Sequence, residues 1–171
     1  MAYAAWSVSF GEQPSAAKWN ILGTNDAYFD SLIGSGTAWT SWTPTWTNFT
    51  VGSATQTGKY VQLGKTVLFT LTVTLNASTM GSNPYFTLPV TSISYSTGSA
   101  NSFTIGNMTV YDASPGAVYH GVVKWRDTTH AIVHQHAVSG SNIVPSALSL
   151  TAPMTWANND EMQINGFYQA A

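Results

Sequence analysis

The stretch Thr66-Val67-Leu68-Phe69-Thr70-Leu71-Thr72-Val73-Thr74-Leu75 sets Val67, Phe69, Leu71, Val73 and Leu75 on one side of an extended chain. Leu68, Thr70, Thr72 and Thr74 fall on the other. A repeat of two is that of a β-strand, and one apolar face backed by hydroxyls marks a sheet packed on one side and wet on the other. From Gly58 onward nearly every segment alternates in this way, and the spacing predicts about eight strands, at 59–63, 66–75, 85–88, 103–111, 118–125, 130–138, 148–151 and 162–168. Turn chemistry falls between them at Leu63-Gly64-Lys65, Asn83-Pro84 and Ser114-Pro115-Gly116. No helix-length pattern interrupts the series. The expected class is all-β, an antiparallel β-sandwich or jelly roll.

Upstream the pattern changes. Gly34-Ser35-Gly36 separates the strand-rich part from a leading segment, giving two regions, 1–36 and 37–171. Residues 1–11 read as a short arm, and Pro14 opens an α-helix running to about Ile33, since proline's missing N–H would be unpaired in the first turn anyway. Trp19, Leu22, Phe29, Leu32 and Ile33 lie close to one helical face, with Lys18, Asn25 and Asp30 mostly elsewhere, while Gly23 weakens the helix by about 1 kcal/mol relative to alanine. A stripe of that kind needs a surface to cover it. Either its own domain or neighbouring chains could do so, which makes these five residues candidates for oligomer formation or attachment.

Composition removes several function classes. Only 7% of the 171 residues are charged against 13% aromatic, so solubility rests on hydroxyls and amides. The five cations, Lys18, Lys59, Lys65, Lys124 and Arg126, are scattered, and the net charge is −2. No basic stripe exists to neutralise phosphates, so nucleic acid is not an expected partner. The absence of cysteine removes disulfides and thiolate metal sites. The first ten residues lack a basic region followed by a long apolar core, and no run approaches the ~20 apolar residues of a membrane-spanning helix. A leaderless, soluble chain without membrane insertion is expected.

Three tryptophans, Trp39, Trp42 and Trp46, fall within eight residues directly after the glycine break. The run Trp42-Thr43-Pro44-Thr45-Trp46-Thr47-Asn48-Phe49-Thr50 is followed by Gly58-Lys59-Tyr60-Val61-Gln62-Leu63-Gly64-Lys65-Thr66-Val67 and Phe86-Thr87-Leu88-Pro89-Val90. Pro153-Met154-Thr155-Trp156-Ala157-Asn158-Asn159-Asp160 and Gly166-Phe167-Tyr168-Gln169-Ala170-Ala171 complete the series. In order and as a set, over residues 42–171, these motifs resemble a β-sandwich domain found at the C-terminal ends of minor structural and tail-associated proteins of tailed bacteriophages and prophages. Pro14-Ser15-Ala16-Ala17-Lys18-Trp19-Asn20 is similar to the segment that often precedes such domains.

The resemblance implies a non-enzymatic virion component, homotrimeric, made in the host cytoplasm and exposed on a tail tip, fibre or head surface alongside other virion proteins. It brings no catalytic residues and names no ligand. A bacterial surface glycan or receptor is the implied partner. The stretch 119–130 is less like the family and is where specificity could vary.

Within it Trp125, Arg126 and Asp127 fall on a predicted hairpin tip, and a tight turn would bring Tyr119 and His130 near them. These five residues are the candidate ligand site, by stacking on sugar rings and bonding their hydroxyls. Core or interface packing explains Trp42, Trp46 and Trp156 more economically. On a strand His130, His134 and His136 share a face with Ile132 and Val138, placing the His134 and His136 imidazoles about 7 Å apart along it. Repeated about a three-fold axis, that pair would offer iron, nickel or zinc six nitrogens. Ordinary surface or interface histidines are the simpler reading, and no cofactor is otherwise implied. The alternative readings are a head-decoration or fibre protein with a purely structural role and a polysaccharide depolymerase. Glycoside cleavage needs two carboxyl groups about 5–9.5 Å apart. Asp112, Asp127 and Asp160 suit turns or caps better.

Overall fold

The computed structural model describes residues 5, 7, 9–33, 39–95 and 102–171, with the side chains of 29–33 outside that set. The chain divides into two compact units, Met1–Trp39 and Thr40–Ala171. The glycine break at 34–36 lies outside the described residues.

In the first unit α1 spans Ala16–Ile33. Its N-cap is Ser15, so Pro14 precedes the helix instead of standing in its first turn: the Ser15 hydroxyl accepts the Lys18 N–H at 3.3 Å and its carbonyl accepts the Trp19 N–H at 3.1 Å. Glu12, just before the cap, accepts the Ser9 N–H at 3.0 Å and pairs with the Lys18 ammonium. At about 100° per residue Trp19, Leu22, Phe29, Leu32 and Ile33 fall within one arc of about 140°, but Lys18, Asn25 and Asp26 fall within it too, so the helix is only weakly amphipathic. Trp19 is 59% exposed and Leu22 half-buried, while the side chains of Phe29, Leu32 and Ile33 lie outside the described set.

The second unit is all-β. Ten strands form: β1 Thr40–Trp42, β2 Trp46–Thr50, β3 Thr55–Leu63, β4 Thr66–Thr74, β5 Thr79–Thr87, β6 Thr104–Asp112, β7 Ala117–Asp127, β8 His130–Ser139, β9 Asn142–Ala147 and β10 Glu161–Gln169. They join in one antiparallel sheet of order β1-β3-β4-β10-β6-β7-β8-β5-β2, with β9 added to β8. The sandwich expectation therefore needs refinement, since hydrogen bonding is continuous rather than split between two sheets.

The two ends of that order are β1 and β2, which are consecutive in sequence and separated only by Thr43-Pro44-Thr45. Three residues span at most about 11 Å, so the sheet must curl until its ends meet. The interior records this curl. Phe69 of β4 and Phe86 of β5, five places apart in strand order, have ring centroids 6.4 Å apart. The Trp42 ring lies 6.2 Å from Phe69 and 6.0 Å from Phe86, and Trp46 packs on Phe86 at 5.0 Å and on Phe49 at 5.1 Å. Gly58, opposite Trp42, makes this approach feasible, because a Cβ there would stand 2.3 Å from the Trp42 carbonyl oxygen.

The alternation in β4 is realised as expected. Val67, Phe69, Leu71, Val73 and Leu75 are buried, and the β10 residues Met162, Ile164 and Tyr168 pair with them in register on the same inner face. Other expectations shift. The tryptophan-rich run supplies two short strands that alternation alone did not mark. Asn83-Pro84 lies within β5, with Asn83 at φ 54°, instead of forming a turn. The expected strand 148–151 is replaced by β9, whose Pro145 is tolerated because β9 bonds to β8 alone. Ser114-Pro115-Gly116 does turn the chain between β6 and β7, with Gly116 at φ 69°.

Residues 88–95 strap one end of the sheet. Leu88 and Ser92 donate backbone N–H groups to the Thr129 and Thr128 carbonyls at 2.8 Å each, and Ile93 donates to the Gln169 carbonyl at 2.9 Å. The Tyr168 hydroxyl donates to the Val90 carbonyl at 2.6 Å and accepts the Val90 N–H at 3.0 Å. Burial raises its pKa well above the usual phenol value, so it stays a donor.

Phe69 carries the closure across the interior. Phe69→Ala is expected to cost about 3–5 kcal/mol, whereas Thr70→Ala on the wet face should change stability by about 0.5 kcal/mol or less. Urea melts of the two variants check this; equal midpoints would show that the aromatic cluster does not hold the sheet closed.

Candidate functional site

The β7–β8 hairpin gathers part of the predicted ligand site and breaks up the rest. Arg126, Asp127 and His130 do converge, and they recruit Tyr85 and Thr129. The Arg126 guanidinium carbon sits 3.7 Å from the Tyr85 ring centroid, and the His130 ring meets Tyr85 edge-on at 5.4 Å. His130 Nδ1 is 2.9 Å from Asp127 Oδ1, which also accepts the Thr129 N–H at 2.8 Å and the Thr129 hydroxyl at 2.9 Å. Partial burial would raise the Asp127 pKa, but the hydrogen bonds from Thr129 and His130 outweigh it and the net shift is downward. These polar groups are spent on one another, as in a turn lock.

Trp125 is not a contact residue. It points to the inner face, is 4% exposed, and donates its indole N–H to Ser92 Oγ at 2.9 Å. Tyr119 shares that face, packed against the core, and stands six residues, about 20 Å, along β7 from Trp125. The turn does not bring it to His130.

Among the histidines, His130 is committed to Asp127. His134 and His136 follow it on the outer face of β8, opposite the inward Ala131, Val133 and Gln135, and His136 is exposed. Both His134 ring nitrogens are shielded from solvent and lack a hydrogen-bond partner. Burial, and secondarily the Lys124 charge, lower its pKa, so the ring is neutral near pH 7. Among the described residues no three His, Cys, Asp or Glu side chains are grouped as ligands for a metal.

The three aspartates hold turns. Asp112 Oδ1 accepts the Ser114 N–H at 3.1 Å. Asp160, fully buried, accepts the Ala113 and Ala157 N–H groups at 3.0 and 2.6 Å. Their oxygens face backbone donors.

A different place has the geometry of a binding surface. On the outer face of β3, β4 and β10, Val61, Leu68 and Phe167 stand in register as an apolar row. Beside it runs a polar row, Lys59, Thr70 and Asn165, continued by Asn107 of β6. Phe167 is 67% exposed. The apolar row ends at a cleft of about 300 Å³ whose walls include Phe167, Tyr95 and Phe103, with Lys65, Thr66 and Gln169 at its polar side. Tyr95 and Phe103 stack at 4.3 Å with planes 11° apart, and the Tyr95 hydroxyl accepts the Gln169 N–H at 2.5 Å. Tyr95 is propped from behind by Trp125, edge-on at 5.9 Å. Trp125 thus supports an aromatic wall without lining it.

The sequence did carry a signal for this surface. Leu68 is the one apolar residue on the threonine face of β4, and Phe167 alternates out of phase with the buried Ile164 and Tyr168. What the sequence could not show is that register sets them side by side. Compared with protein-family profiles, curated proteins and solved structures, the chain matches none.

His134 has a measurable consequence. Its folded-state pKa lies below the ordinary histidine value of about 6.5. The unfolded chain therefore takes up the proton first, and stability falls as pH drops below about 6.5. Thermal melts from pH 7.5 to 5 should show this loss, and His134→Leu should flatten it. An unchanged slope in the variant would assign the pH dependence elsewhere.

Proposed function

We propose that this is a non-enzymatic structural protein of a tailed-phage virion, placed on a tail tip, fibre or head surface, whose β-unit recognises carbohydrate on the host cell. The observation that carries the recognition reading is the outer face of β3, β4 and β10, where exposed Phe167 and an apolar row border hydroxyls, amides and an aromatic-walled cleft. Sugars present the same pairing. Their C–H faces stack on aromatic rings, and their hydroxyls exchange hydrogen bonds with amides, hydroxyls and bridging water. The motif series over residues 42–171 supports placing the chain on a phage particle. A low-charge surface suits that setting, because it relies little on exposed ion pairs that salt would screen.

In this reading the N-terminal unit attaches the β-unit or assembles it as a trimer, with exposed Trp19 as one contact. Light scattering should return three copies of the 18.3 kDa chain. A monomer mass at micromolar concentration would remove the trimer.

Fluorescently labelled protein should bind some strains of a bacterial panel saturably, and isolated surface polysaccharide should compete. Firm attachment to phage particles without cell binding would favour the purely structural role. Reducing ends released from host polysaccharide would make the protein a depolymerase.

A further inference from the structure

From the placement of charge around the apolar row we infer that the outer face of β3, β4 and β10 binds an extended acidic oligosaccharide, one carrying uronic acid or similar carboxylates. This rests on the carbohydrate-recognition reading and assigns that surface a ligand class.

The row Val61–Leu68–Phe167 crosses three neighbouring strands, each step about 4.8 Å, and leads into the cleft at Tyr95 and Phe103. A track of that length fits consecutive sugar rings better than a single one. Phe167, exposed on the sheet surface, offers its ring to a sugar's C–H face, and the stacked Tyr95–Phe103 pair forms a second aromatic wall. Thr70, Asn165 and Asn107 flank the row on one side, with Thr66 and Gln169 on the other. These uncharged donors and acceptors suit hydroxyls along the ligand's edges.

Charge selects the class. Of the chain's five cations, Lys59 and Lys65 stand on this face, Lys59 in the polar row and Lys65 at the cleft, and both are exposed. Across β3, β4 and β10 the only acidic residue is Glu161, paired with Thr74 at the opposite end, six residues and about 20 Å from Phe167. Its carboxylate accepts the Gln163 amide. Two ammonium groups therefore flank an apolar track, and these three strands place no acidic side chain beside them. In a chain with 7% charged residues such a field is a local feature, and it favours carboxylates spaced along a sugar chain. Lysine ammoniums act here as hydrated point charges, so affinity should fall as salt rises.

The experiment uses the whole chain on hexasaccharides of glucuronic, galacturonic and mannuronic acid, each beside its carboxyl-reduced neutral form. The expected result is binding to at least one acidic series, about tenfold weaker for its reduced partner and weakened by added sodium chloride. Lys59→Gln with Lys65→Gln should lower acidic binding to the neutral level, and Phe167→Ala should remove both. All three side chains are exposed, and near-ultraviolet circular dichroism verifies that the variants stay folded. Equal affinity for acidic and reduced forms, no binding to either, or unchanged binding in the variants overturns the proposal. Whole-cell labelling separates its failure from that of the broader reading. Cells labelled equally by wild type and Phe167→Ala would leave recognition standing and move the site. Cells labelled by neither would overturn both.

Discussion

Closure of the sheet is the constraint on which the rest depends. Because β1 and β2 are joined by three residues yet stand at opposite ends of the strand order, the eight strand-to-strand steps between them must bend until the ends coincide. The interior enclosed in this way holds a cluster of Trp42, Trp46, Phe49, Phe69 and Phe86 in edge-on and tilted contacts among aliphatic core residues. The closure is held from both sides of the Thr43-Pro44-Thr45 link. Thr45 exchanges hydrogen bonds with Thr87, its carbonyl accepting the Thr87 N–H and its N–H donating to the Thr87 hydroxyl, both at 3.0 Å. Gly58 leaves room for Trp42 on the other side. The tryptophan-rich run is a clasp, which explains why so many large aromatics lie in so few residues.

A second tie connects this clasp to the outer surface. β10, the last strand in sequence, sits between β4 and β6, and its Tyr168 contributes its ring to Phe69 at 5.9 Å and its hydroxyl to the strap at Val90. The strap continues to Ser92, which holds the Trp125 indole, and to Tyr95, which Trp125 supports. One chain of contacts therefore runs from the buried cluster to the aromatic wall of the outer cleft. The wall is thus backed by the buried Trp125.

The scarcity of charge has the same logic. Asp160 is paired with its two backbone donors and the Trp46 indole with Gln56, while the shielded His134 ring nitrogens stay without a partner. Apart from Leu68, Phe167 and Glu161, the wet face of β4 and β10 is made of threonine, asparagine and glutamine. Stability then rests on apolar burial and short-range hydrogen bonds, both insensitive to screening. Against so neutral a background Lys59 in the polar row and Lys65 at the cleft stand out. The Arg126–Asp127–His130 cluster does not, since its charges are internally matched.

What the sequence determined by itself was periodic and local: the all-β class of the second unit, the buried face of β4, the helix ending at Ile33, the turn at Gly116 and the turn-holding aspartates. Each depends on a repeat of two or on chemistry within a few residues, and survives translation into structure because nearby atoms enforce it. The sequence also placed Trp125 on a strand, but burial there is decided by which way the curled sheet faces. A residue judged exposed from its polar neighbours became a core residue bonded to Ser92, more than thirty positions away. The helix stripe is diluted, because Lys18, Asn25 and Asp26 share its arc. Tertiary structure alone decided that β1 and β2 meet, that β10 lies between β4 and β6, and that Val61, Leu68 and Phe167 form one row. Strand order and register arise from long-range closure, and no local pattern encodes which distant strand will be the neighbour.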